Sequence, residues 1–130
     1  MLKRIGAASL LLGFSLGLGQ PAFADDKLRI GFLTDMSGAY ADLDGKNGAI
    51  AIQMAIDDFG AKVNGMPIEL LTSDHQNKPD IGVTTAREWI DSQHISMLVG
   101  GTNSAVGVAV AGIAAEKRCC SSPTAPARLR

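Results

Sequence analysis

Gly100-Gly101-Thr102-Asn103-Ser104 places two glycines and three hydroxyl or amide side chains just before an apolar-periodic stretch, a combination suited to capturing an anion. Glycines let a ligand come close to the backbone. A Ser or Asn at the head of a helix caps it, and the amides and positive dipole end there attract negative charge. A carboxylate so placed would accept hydrogen bonds from the Ser104 hydroxyl and nearby N–H groups, with Thr102 and Asn103 beside it. The same residue types also make an ordinary N-cap with no ligand, and the two readings both stand on residue types alone. Tyr40, in a loop rich in Asp, either stacks on a ligand or is a surface aromatic.

The remaining reactive residue types do not add up to a catalytic set. Asp42, Asp44, Asp57 and Asp58 could serve a metal or acid–base chemistry, but Asp is mostly exposed, and solvated charges are the simpler reading. His75 follows Asp74 and could act as a general base. With His94 the only other histidine, no Ser or Cys pairs with it as a nucleophile. Gly45-Lys46-Asn47-Gly48 lacks the spacing of a phosphate loop, and no G-x-G-x-x-G follows the first strand. Cys119 and Cys120 are the only cysteines, and a bridge between neighbours closes almost no loop. No His or further Cys lies at ligand spacing from them. No metal set, cofactor motif or nucleophile–base pair is visible among these residues, so no metal, no cofactor and no catalysis are expected.

The elements that must carry these residues follow from periodicity. Lys27 to Leu33 alternates as a first strand, with Leu28, Ile30 and Phe32 on one side. Thr34 to Lys46 reads as loop. Ile52, Ala55, Ile56 and Phe59 then form one helical stripe, stopped by Gly60. Val63-Asn64-Gly65 is a turn and Met66 to Thr72 a second strand. Pro79 and Asp80 open a second helix with Val83, Ala86 and Ile90 inward and Trp89 at the rim. Ile95 to Val99 is a third strand, followed by a helix with Val106, Ala109, Val110 and Ile113 buried. Strand–helix alternation predicts an α/β fold: an open, doubly wound parallel sheet of three strand–helix units. Ligands bind such sheets at the carboxyl ends of the strands, here Thr34 to Tyr40, Asp74 to Asn77, and Gly100 to Ser104.

The 130 residues are 46% hydrophobic and 19% charged, which fits one globular domain and argues against disorder. Met1 to Arg4 is basic, Ile5 to Gly19 is uncharged and apolar, and Ala22-Phe23-Ala24 follows Pro21. This is the pattern of a secretory signal at residues 1–24, cut between Ala24 and Asp25. The apolar run is short for a bilayer, which needs about 20 residues. Removing Lys3 and Arg4 takes the net charge from −1 to −3, with no electrostatic footprint for nucleic acid. Residues 25–117 carry the alternating units. From Arg118 the periodicity stops, so 118–130 reads as an unstructured tail, either natural or translated out of frame. On that reading the third strand lacks an outer partner, and the chain is a truncated unit that folds poorly.

Leu28 to Gly38, Gly48-Ala49 with its helix through Asp57-Asp58-Phe59, Val63 to Ile68, Asp74 to Pro79 and Gly100 to Val106 together resemble the N-terminal lobe of type I periplasmic binding proteins of the branched-chain amino-acid class. The resemblance covers Ala24 to about Lys117. It implies a periplasmic lobe that closes with a second lobe on a small amino-acid-like solute and delivers it to an inner-membrane ABC permease. It also implies that Ser104 contacts the solute's carboxylate and that Met36 to Leu43 faces the cleft. An exported ligand sensor on the same lobe, or a small exported α/β enzyme, are the alternatives.

Overall fold

The computed structural model describes residues 27–123. In chain order the elements are β1 (Leu28–Thr34), α1 (Ala41–Asp58), β2 (Lys62–Val63), β3 (Met66–Asp74), α2 (Pro79–Asp91), β4 (Met97–Gly100), α3 (Ser104–Glu116) and β5 (Cys120–Pro123). They form a five-stranded sheet in the order β2-β3-β1-β4-β5. β1 is parallel to β3 and to β4, and β4 is parallel to β5. Only the short β2 runs antiparallel, folded onto β3 through Asn64 and Gly65, both at positive φ.

β1 is central because both its faces are apolar: Gly31, Phe32, Leu33 and Thr34 are all buried. Phe32 faces α1, while Gly31 and Leu33 face α2 and α3. Helices on both faces are what a parallel sheet requires. The main core lies on the α2–α3 side, where Leu33, Ala86, Trp89, Leu98, Val106 and Val110 pack together. Arg87–Glu116 and Asp91–Lys117 ion pairs tie α2 to α3 at the surface.

Four details differ from the periodicity. Trp89 belongs to the core rather than its rim, because Gly31 leaves a slot for the ring: a Cβ on Gly31 would lie 2.6 Å from Trp89 Cε3. α1 begins at Ala41, before the expected loop ends, and breaks at Gly45, whose ψ is −118°. Of its predicted stripe only Ile56 is buried, while Ala55 and Phe59 are exposed. The helix meets the sheet instead where Gly48 lies over Phe32.

The fourth difference is β5. Within the stretch from Arg118 that was expected to lack structure, Cys120–Pro123 pairs with β4 from Met97 to Gly100. Arg118 and Cys119 close the end of α3 onto the carbonyls of Ala115 and Ala114. A parallel ladder is made from backbone groups, so an edge strand forms without the apolar alternation that would announce it. β4 therefore has its outer partner. Residues 124–130 and the signal segment 1–24 lie outside the described residues.

Candidate functional site

The connection from β1 leads to β3 on one side, while β4 lies on the other side and leads outward to β5. The strand order thus reverses between β1 and β4, and a crevice opens outside their carboxyl ends. The loops after β1, β3 and β4 meet there.

Two carboxylates shape the loop after β1. Asp35, fully buried, accepts the amides of Gly38 at 2.7 Å and Tyr40 at 3.0 Å. Asp74, at the end of β3, accepts from Met36 N at 3.0 Å, Gln76 N at 2.7 Å and Ser37 Oγ at 2.6 Å. Partial burial of Asp74 raises its pKa, but these three donors outweigh it and hold the carboxyl below its usual range.

A closed circuit then joins all three loops. The Thr34 hydroxyl donates to Asp44 Oδ1 at 2.8 Å, and the Thr102 hydroxyl donates to Asp44 Oδ2. Asn103, next in the chain, donates through Nδ2 to Asn77 Oδ1. The Asn77 amide donates to His75 Nδ1 at 3.0 Å, and the His75 amide returns to the Thr34 carbonyl at 2.9 Å. Since His75 Nδ1 accepts, the neutral ring carries its proton on Nε2. That atom is buried with no partner among the described residues. Burial pushes the His75 pKa below its ordinary value, against the pull of the Asp35, Asp74 and Asp44 carboxylates. Both hydroxyls of the circuit are bonded to Asp44, and among the described residues no group of three His, Cys, Asp or Glu side chains could hold a metal ion.

The four residues singled out for ligand contact fall on this crevice in different roles. Asn103 is the N-cap of α3: its Oδ1 accepts the amides of Ala105 at 2.8 Å and Val106 at 3.1 Å. With Nδ2 donating to Asn77 Oδ1, both polar atoms of its side chain take part in structural bonds. The Thr102 hydroxyl proton is engaged by Asp44. Ser104, the first residue of α3, is exposed, and its hydroxyl has no partner among the described residues. Its amide is one of those that a helix start leaves outside the helical bonding. Tyr40, half-buried, stands at the head of α1 on the β1 side.

Asp44, expected among the solvated charges, is instead half-buried between two hydroxyls, whereas Asp42, Asp57 and Asp58 are exposed. No local signal marks it, because its partners lie 10 and 58 residues away. Asp35 was legible in principle, since an Asp three residues before a Gly is a turn former. An apolar pocket lies between α3 and the β4–β5 edge, lined in part by Leu33, Leu98, Val106 and Val110. Gly100 and Gly101 also line it, so it adjoins the loop after β4, although Tyr40, Thr102, Asn103 and Ser104 do not face it.

An open parallel lobe with an exposed helix start at its switch point is an architecture suited to holding a ligand. The chain belongs to the periplasmic binding protein family, whose model matches residues 27–128. Its fold is that of the N-terminal lobe of type I periplasmic binding proteins. A periplasmic binding protein from Burkholderia mallei is 54% identical over 75% of this chain and 26% of its own, with a TM-score of 0.74. A branched-chain amino acid ABC transporter periplasmic ligand-binding protein from Burkholderia xenovorans is 36% identical over 73% of this chain and 25% of its own, with a TM-score of 0.70. An ABC transporter solute-binding protein from Rhodopseudomonas palustris, solved with 3,4-dihydroxybenzoic acid, is 26% identical over 77% and 27%, with a TM-score of 0.71. The chain thus spans about a quarter of the length of the solved structures it matches. None of the curated protein sequences matches it.

Proposed function

We propose that this chain supplies the first-lobe half of a solute site in the periplasm, taking a small carboxylic acid of the amino-acid type or a related acid for an inner-membrane ABC permease. The observation that carries this reading is Ser104. The Asn103 side chain occupies the Ala105 and Val106 amides, so the Ser104 hydroxyl and amide are what the positive end of α3 presents to the crevice. The solutes associated with two of the relatives, branched-chain amino acids and 3,4-dihydroxybenzoic acid, have a carboxylate in common. Thr102 and Asn103 shape this site, and Tyr40 covers the solute from the β1 side.

Ser104→Ala is expected to weaken carboxylate binding by about 1–3 kcal/mol, the value of a hydrogen bond to a charged group. Calorimetry of the full chain with L-isoleucine and with 3,4-dihydroxybenzoate measures this. Affinity equal to the unsubstituted chain for both would make Ser104 an ordinary helix residue and sink the reading.

Export rests on the basic, apolar and Ala-Phe-Ala succession in residues 1–24. Mass spectrometry of the periplasmic fraction is expected to find Asp25 as the first residue. A membrane-bound product that retains Met1 to Ala24 would refute it.

A further inference from the structure

The crevice reading leaves one carboxylate unexplained. Asp44 sits in the short helical turn that precedes the break of α1 at Gly45. It accepts hydroxyl protons from β1, through Thr34, and from the β4–α3 loop, through Thr102. A carboxylate is acceptor-only, so it takes both protons at once, and hydrogen bonds to an ionised acceptor are about twice as strong as neutral ones. The position near the start of α1 favours the negative charge. No other side chain in the circuit joins α1 to the loop before α3.

We propose that Asp44 is a positioning residue for the solute site: by tying Thr102 to β1 and α1, it holds the start of α3, and so Ser104, at the crevice. The proposal rests on the Ser104 reading for its functional consequence, but the tie itself is measurable without any ligand. It assigns Thr102 a corresponding role. With its proton on Asp44, Thr102 does not donate to a bound carboxylate, and acts through the loop.

The test uses Asp44→Ala, Thr102→Val and the double variant in the full chain. Amide hydrogen exchange followed by NMR is expected to quicken by about tenfold or more at Val106 and Gly107, with the β1 and β3 amides unchanged. Affinities for L-isoleucine and for benzoate are expected to fall about tenfold together, because a displaced Ser104 harms any carboxylate. The double variant is expected to be no worse than the weaker single one, since both break the same tie. Exchange at Val106 and Gly107 equal to the unsubstituted chain in both variants would overturn the proposal. Uniform quickening of all amides would also overturn it, by making Asp44 a residue of general stability. A loss confined to L-isoleucine would overturn it too, by placing Asp44 against the solute's ammonium. If Asp44→Ala does not fold, Thr102→Val alone removes the loop side of the tie and decides the matter. An unsubstituted chain that binds neither probe would refute the Ser104 reading, while the exchange measurement still judges Asp44.

Discussion

Gly100→Ala is expected to remove at least about 3 kcal/mol of stability, a large share of the 5–15 kcal/mol that typically holds a domain together. Two effects add. Gly100 has φ +140°, a backbone region that L residues rarely enter, and forcing one there costs of order 1–3 kcal/mol. An added Cβ would also lie 2.0 Å from the Leu33 carbonyl oxygen, far inside contact distance. That carbonyl belongs to β1, which pairs Leu33 with Gly100, so relief requires β4 to peel away at the crevice. Gly101 gives the control. Its φ is +107°, but a Cβ there meets only the Gly107 Cα, at 3.3 Å. Gly101→Ala should therefore cost the backbone strain without the collision. Urea unfolding followed by the fluorescence of Trp89, the single tryptophan, measures both variants. Equal midpoints for Gly100→Ala and the unsubstituted chain would show that the strand end is not built this way.

Trp89→Ala is expected to cost about 3–5 kcal/mol, the usual range for emptying a buried aromatic site. Trp89 is 9% exposed and its ring lies on Gly31, beside which the Ile95 side chain also packs, while the Trp89 carbonyl accepts the amides of Gln93 and Ile95. It thus joins α2 to the central strand and to the turn that feeds β4. Gly31→Ala should be destabilising in the presence of the ring, and much less so once Trp89 is Ala, because the slot is then empty. Circular dichroism of the two single variants and the double variant gives the coupling between them. Additive losses would mean that ring and glycine do not share the slot.

The site was partly visible before folding is considered. Gly100 to Ser104 stood out because glycines, hydroxyls and an amide precede an apolar helix, and that segment does lie at the crevice. Which of its side chains faces solvent was not readable. Asn103 and Ser104 are equally good caps by type, and only the fold shows that Asn103 caps while Ser104 stays exposed. Asp44 gave no sign of its role for the same reason: its two partners come from a strand and a loop remote in sequence.

The local pattern of apolar residues determined the strand–helix alternation, because burial on one face of a helix or strand is written at fixed spacing. It determined the α3 stripe in this way, and Pro79 and Gly60 marked where helices begin and end. Tertiary structure alone decided four other things. It set the strand order that makes a switch point between β1 and β4, and it buried Trp89 against a glycine four elements earlier in the chain. It paired Cys120–Pro123 with β4, and it drew Thr34, Asp44, Thr102, Asn103, Asn77 and His75 into one circuit. Each of these depends on contacts between residues far apart in the chain, made by backbone groups, by single polar atoms or by one ring lying on a glycine. Such contacts leave no periodic trace in the sequence, so they exist only once the sheet has brought the strand ends together.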